Sequence, residues 1–340
     1  MLTDEREKAR VIALNRWPTE QTENMNTMDT PQSNNIPAPE RQPSKELEEL
    51  LAQALTHDKG GQYQEMLESA QLAIEVDAGS ALAFACKARA LQKLDRISEA
   101  TIANDQALLL DTALPLAWIN RSGLQVLQKR FADALRSATR STELAPDDAR
   151  AWINSGMAHI NLHNLPAALD AMNQGLALDP DNLLALQMKG EILYRCGRVR
   201  ELASCMQEAL ESYPDDIQLL TLMIEALRST EDYAGLVPYT SHLIQLMPDS
   251  RFAWDCHMRT LRSLGHFLEA SEAIYHLLEL EPDEVRYWTL KADNLYRLEQ
   301  YREAVSAAQY ALQIDPQFPP ARRIHEKAVK LMYQRKGKRK

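Results

Sequence analysis

The sequence predicts an all-α fold, a solenoid of eight two-helix repeats followed by a capping helix, and three observations carry that prediction. The first is a constant interval. Pro146, Pro180, Pro214, Pro248, Pro282 and Pro316 stand 34 residues apart, a period typical of stacked supersecondary units. The second is composition. Of the 340 residues 45% are hydrophobic and only 11 are glycine, which supplies a large interior and, with Ala and Leu abundant, favours helices over sheets. The third is apolar spacing, which follows a helical stripe twice within each interval.

The chain before the repeats reads differently. Thr3 followed by Asp4 and Glu5 resembles an N-cap with acids in the first turn, so a short helix is expected at 3–16, with Val11, Leu14 and Trp17 as a thin apolar face. Pro18, Pro31, Pro37, Pro39 and Pro43 lie among Asn, Gln, Ser and Thr, and residues 1–46 as a whole read as a flexible leader. Met1, Met25 and Met28 each qualify as a start. Trp17 reads as a small docking motif or as part of the leader.

The repeats are expected at 47–80, 81–114, 115–148, 149–182, 183–216, 217–250, 251–284 and 285–318. Place 4 of each is Leu50, Phe84, Trp118, Trp152, Leu186, Leu220, Trp254 or Trp288, and place 20 is alanine in five of them. Places 4, 8 and 11 stripe a first helix; in the eighth repeat these are Trp288, Ala292 and Leu295. Places 17, 20, 24, 27 and 28 stripe a second, there Tyr301, Ala304, Ala308, Ala311 and Leu312. Small residues at places 8, 20 and 27 let backbones approach closely, and large ones at 4 and 17 fill the spaces between. The closing Asp-Pro stops the second helix, because proline disfavours helical geometry in the residue before it. In the first two repeats Ala78 and Thr112 take the proline's place.

One region departs from the pattern. Ile224 and Met258 occupy the small place 8, and Leu202 and Leu236 replace alanine at place 20. Gly235 and Pro238 fall early in a second helix, where proline removes a hydrogen bond. A distorted or late-starting helix is expected there, with an altered angle between the sixth and seventh repeats. Pro166 sits in an opening turn, where proline is tolerated. From Pro319 to Lys340, Ala321, Ile324, Ala328 and Leu331 form the stripe of a ninth first helix that caps the array, with Gln334–Lys340 frayed.

In this setting Trp152, Gly156, Leu165, Ala168, Gly175, Asp179 and Pro180 together resemble the tetratricopeptide (TPR) repeat. The resemblance covers about four-fifths of the chain. It implies a right-handed α-α superhelix whose first helices line a concave groove that holds an extended peptide or a partner helix. Places pointing into that groove are Arg89 and Lys93, then Ile119 and Asn120, then Arg150, Ile153, Asn154 and Met157, then Gln187 and Glu191.

Asn120 and Asn154 share one place in adjacent repeats. In the O-linked N-acetylglucosamine transferase family a longer ladder of such asparagines grips a peptide backbone, since an amide donates and accepts at once. Here the pair reads as two rungs of such a grip or as solvated groove residues. The two-carboxylate clamp of chaperone-binding TPR proteins is echoed only in part, by Arg89, Asn120 and Arg150.

Chemical motifs are sparse. His159 and His163 have a metal-compatible spacing, but no carboxylate or cysteine completes a set nearby, and a core histidine is the simpler reading. Cys86, Cys196, Cys205 and Cys256 show no CxxC spacing, which fits reduced thiols in the cytoplasm. No nucleophile elbow, phosphate-binding loop, dinucleotide fingerprint or H-E-x-x-H motif occurs. Neither a cofactor nor a metal is expected.

Net charge is −10, with +8 concentrated in Pro319–Lys340 and −18 in the rest. An acidic body argues against general nucleic-acid binding. The basic tail reads as a solubility and capping device, as a contact for an acidic partner, nucleic acid or anionic lipid, or as a segment folding back on the acidic array. No apolar run approaches the roughly 20 residues that span a bilayer. The function expected is a non-catalytic adaptor that holds a protein or peptide partner in the groove. The alternative is a structural subunit docking through its tail or convex surface. Homo-oligomers are compatible with an open superhelix.

Overall fold

The computed structural model describes residues 44–337, in which there are seventeen α-helices and no strand. First helices are α1 (Lys45–Gly60), α3 (Ala81–Lys93), α5 (Pro115–Leu127), α7 (Ala149–Asn161), α9 (Leu183–Arg195), α11 (Ile217–Ser229), α13 (Arg251–Ser263) and α15 (Val285–Arg297). Second helices are α2 (Tyr63–Val76), α4 (Ile97–Leu110), α6 (Phe131–Leu144), α8 (Leu165–Leu178), α10 (Val199–Ser212), α12 (Tyr233–Leu246), α14 (Phe267–Leu280) and α16 (Tyr301–Ile314). The closing helix α17 is Pro319–Gly337. The helix and leader expected within residues 1–43 lie outside the described residues.

The chain divides into two units, described residues up to Ile192 and residues from Leu193 onward, and the division passes through α9. In the first unit each hairpin packs on the next, and neighbouring first helices touch one another: α1 with α3, α3 with α5, α5 with α7. In the second unit the same succession runs from α10 to α17, with α17 against both α16 and α15.

Local chemistry explains why each helix begins and ends where it does. Ser44, Ser80 and Asp216 cap their helices by accepting from the backbone N–H groups of Leu47, Ala83 and Leu219, and Pro115 opens α5 where its missing N–H costs nothing. First helices end in a tight left-handed turn. Arg96 N–H donates to Leu91 at 2.9 Å and Asp95 N–H to Gln92 at 3.2 Å, the paired bonds of a Schellman closure. Place 15 adopts positive φ in all eight repeats: Gly61, Asp95, Lys129, His163, Gly197, Glu231, Gly265 and Glu299.

Second helices stop at place 31 whether or not proline follows. In the two repeats without it, the Asp77 carboxylate accepts from Gly79 N–H at 2.9 Å and the Asp111 carboxylate from Ala113 N–H at 2.8 Å. An aspartate turn therefore ends those helices by giving the chain a competing local hydrogen bond.

The expected small and large places are reproduced in burial. At place 20, Met66, Ala100, Ala134, Ala168, Leu202, Leu236, Ala270 and Ala304 are all buried. A Cβ added to Gly156 would lie 2.7 Å from the Met172 methyl group, so α7 and α8 touch at that point with no room for a side chain. In the second unit the larger Ile224, Leu236 and Leu243 pack with Phe252 and Ala253.

Four place-4 tryptophans do more than fill space. Each indole N–H donates to a place-32 carbonyl six residues earlier: Trp118 to Thr112 at 2.8 Å, Trp152 to Pro146 at 2.9 Å, Trp254 to Pro248 at 2.7 Å and Trp288 to Pro282 at 2.6 Å. Each bond ties a helix start to the end of the preceding repeat. Trp152→Phe keeps most of the ring and loses the bond, so urea unfolding of the variant is expected to show a loss of about 1 kcal/mol.

Two expectations need correction. The second helix of the sixth repeat is neither broken nor late: α12 begins at Tyr233, at the same place as its counterparts, and runs through Pro238 to Leu246. Asp232 caps it by accepting from Gly235 N–H at 3.0 Å, and Pro238 stands on the exposed side. Only one intrahelical bond is lost, and the carbonyl it releases faces water. The C-terminus is also more regular than expected, since α17 continues to Gly337. Its Ile324 packs on Ala292, Ala307 and Ala308, and its Ala328 on Ala304 and Val305.

Candidate functional site: the face of the first helices

In the first unit, side chains from three separate first helices meet at one carboxylate. Asp58, in the last turn of α1, accepts from the Arg89 Nε of α3 at 3.2 Å and stands 3.4 Å from the Arg150 Nη1 of α7. Packed helices lie about 8–10 Å apart, so a flat row would hold α1 and α7 about 25–30 Å from each other. The contact requires the row to curl. The faces carrying Asp58, Arg89 and Arg150 are therefore the inside of the curve.

Asp58 and Arg89 are largely enclosed, with side-chain exposures of 13% and 18%. Arg150 is more open and has a second partner, Asp148, at 2.6 Å. Burial works against the Asp148 charge, but the hydrogen bonds and charge of Arg150 outweigh it and hold that carboxyl below its usual range. Lys93, one helical turn beyond Arg89, is exposed and has its ammonium 5.8 Å from the Tyr63 ring centroid. Its pKa is lowered by desolvation and by Arg89, with Asp58 opposing. Cys86 lies within this field. Burial first, then Asp58, pushes its thiol up to about 12 against the pull of Arg150, which leaves it protonated and unreactive at neutral pH. The cluster holds three cations at the inner face, with Asp58 and Asp148 as their carboxylate partners.

The residues expected in the groove separate into two groups. Arg89, Lys93, Arg150, Asn154, Met157, Gln187 and Glu191 keep at least part of their side chains in solvent. Ile119, Asn120 and Ile153 do not, at 2%, 1% and 4% exposure. The reason is close packing of neighbouring first helices. Asn120 Nδ2 donates to the Ala85 carbonyl at 2.9 Å, and Asn154 Nδ2 donates to the Ile119 carbonyl at 2.9 Å and to Ser122 Oγ at 2.9 Å. Both asparagines reach back 35 residues to the helix before them. They use the second lone pair of a helical carbonyl, so their donors bind the fold itself.

Asp58 is not among the groove places that the helical pattern picks out, although an acid at place 12 followed by an arginine at place 9 of the next repeat is the signal that reveals it. The second unit has a related link. There Arg262 of α13 donates to Asp293 of α15 at 2.7 Å, and Arg297 reaches the same carboxylate at 3.0 Å. His159 is half-buried with its pKa lowered by desolvation, while His163 occupies a left-handed turn. No group of three metal-binding side chains occurs among the described residues. No helix among them is long and apolar enough to cross a membrane.

Stacked helical hairpins, curled in the first unit around an inward-facing polar surface, define a helical-repeat protein. Residues 124–183 and 258–319 match the family model of the tetratricopeptide repeat, and the hairpins outside those two stretches keep the same 34-residue interval. Among solved structures, PilF of Pseudomonas aeruginosa is 19% identical, covers 62% of this chain and 96% of its own, and superposes with a TM-score of 0.55. YrrB, described as a TPR protein with an unusual peptide-binding site, is 20% identical over 56% of this chain and 97% of its own, with a TM-score of 0.49. Such likenesses concern the fold. No curated protein matches the chain. Tetratricopeptide repeats generally mediate protein–protein interaction and are typically non-catalytic.

Proposed function

We propose that the protein is a non-catalytic, cytoplasmic adaptor that holds a peptide or partner protein along the inner face of α3, α5, α7 and α9. The observation that carries this reading is the convergence of Arg89 and Arg150 on Asp58. Two guanidiniums from different repeats bind a carboxylate there, and exposed Lys93 adds a third cation beside them. A partner presenting acidic side chains meets the same chemistry one step further along the face. Asn154, Gln187 and Met157 beside it supply polar and apolar contacts of the kind an extended chain uses.

Lys93→Glu tests the proposal with little risk to folding, since Lys93 is exposed. Proteins recovered with the tagged chain from its own cells are identified for the wild type and the variant. Loss of a discrete set of partners is expected, with affinity for a purified partner reduced about tenfold, near the 1.4 kcal/mol a charge reversal at a binding face produces. Equal recovery of the same partners sinks the reading.

A second reading has one observation in its favour. Arg322, Arg323, Lys327 and Lys330 of α17 are all exposed, and they would suit a structural subunit docking by its C-terminal end. Replacing the four by glutamine distinguishes it, because assembly would be lost while partners dependent on Lys93 remain.

A further inference from the structure

A second polar site lies on α4, α5 and α6, independent of the inner-face reading. Arg121, Arg130, Arg136 and Arg140 line a cleft of about 490 Å³ in which the only carboxylate is Asp133. Arg130 and Arg136 both pair with Asp133. Arg140 pairs with Glu143 at the surface at 2.9 Å. The Arg121 guanidinium stands 5.6 Å from the Trp118 ring centroid. In a body that is otherwise acidic, four guanidiniums gather around Asp133, with Glu143 on Arg140 and Asp105 at the adjoining neck, and leave a local excess of positive charge.

The cleft leads into a narrower neck of about 50 Å³ that shares Arg121, Gln125 and Arg130 with it. At the neck stands Asn104, 1% exposed, whose amide nitrogen and oxygen both have no hydrogen-bond partner. Packing does not explain an amide there. Asn104 is at place 24, which is apolar in six of the other seven repeats, among them Ala70, Ala138 and Ala308. Gln125 breaks the pattern in the same way, standing at place 11 where five repeats have leucine. Its Oε1 accepts from Ser137 Oγ at 2.7 Å. An unpaired buried amide is costly, and two polar residues at core places border one cleft.

We propose that this cleft binds a phosphorylated serine or threonine side chain of a polypeptide. A phosphomonoester brings nearly two negative charges and three acceptor oxygens in one compact group, which matches several guanidinium forks; a lone carboxylate is satisfied by one. Asp105 beside the neck keeps the anion outward, at the arginines. The neck is left for a neutral group that donates and accepts, as the peptide amide next to a phosphorylated residue does, and Asn104 is its complement.

The test titrates the full chain by calorimetry with N-acetyl-O-phosphoserine N-methylamide, its unphosphorylated form, inorganic phosphate and succinate at one ionic strength. The blocked phosphoserine is expected to bind at least tenfold more tightly than inorganic phosphate, with no measurable binding of the other two. Arg121→Gln with Arg136→Gln is expected to weaken it at least tenfold without moving the thermal midpoint. Arg121→Lys with Arg136→Lys is expected to restore only part, since charge returns but the fork does not. Asn104→Ala restores the residue that three other repeats carry, so it folds, and it is expected to lose several-fold in affinity. Phosphoserine binding no tighter than succinate overturns the site, as does indifference to the paired arginine change. Equal affinity for inorganic phosphate, or full affinity in Asn104→Ala, overturns the polypeptide source.

Discussion

Replacing Asp58 by alanine is expected to lower the unfolding free energy by about 2–3 kcal/mol, although the residue sits at the inner face and fills no core. Asp58 is the carboxylate that Arg89 binds, and the two are 13% and 18% exposed. Without it a largely enclosed guanidinium is left beside Lys93 and Arg150, and the desolvation that the pair shared becomes a net loss. Arg150 suffers less, because Asp148 holds it at 2.6 Å and a good part of its charge reaches water, which is why the figure stays below the full cost of an orphaned buried charge.

The sign of the double variant separates the causes. Asp58→Ala with Arg89→Leu removes both charges and is expected to recover most of the loss, since the penalty belongs to the unpaired cation. Half-molar salt is expected to return part of the stability of the single variant by screening the repulsion among the three cations. Urea unfolding followed by circular dichroism measures all three. A single variant within about 0.5 kcal/mol of wild type would mean that the inner face is held by helix packing alone.

That face also shows where sequence and structure part. The repeat period, the helix pairs and the closing helix are all legible, because they follow from apolar spacing, and spacing survives substitution. The direction of a side chain in the inner row is less so. Asn120 and Asn154 occupy a place the helical wheel points toward the groove, yet their amides turn back to the Ala85 and Ile119 carbonyls. Nothing in a single helix's pattern reveals that, since it depends on how near the preceding helix comes. Asp58 was missed for the same reason: its partners lie 31 and 92 residues away. Pro238 misled in the opposite direction. A residue-level rule forecast a break, but the place is exposed and the cap at Asp232 intact, so the helix tolerates one lost bond. The left-handed turn at place 15 leaves little trace in the sequence, because only three of its eight residues are glycine.

That turn yields the second large expectation. Converting Asp95, Lys129 and His163 together to glycine is expected to raise the stability of the first unit by about 2 kcal/mol. Each has φ near +60°, at 60°, 61° and 59°, where an L side chain crowds the following carbonyl at a cost of about 1–2 kcal/mol. Glycine removes that crowding but loses more chain entropy on folding, about 0.5–1 kcal/mol. The difference favours glycine at each site, least at Asp95, since aspartate tolerates this conformation better than lysine does. The sites are a full repeat apart, so the three gains should add to within about 0.5 kcal/mol. Gly61 provides the reverse experiment. A Cβ there meets nothing within 4 Å and φ is +69°, so Gly61→Ala introduces backbone strain and no clash, and should cost about 1 kcal/mol. If the triple variant gains nothing while Gly61→Ala still loses, the three side chains must hold their turns by contacts that offset the strain. Crowding at φ would then no longer explain why glycine recurs at this place.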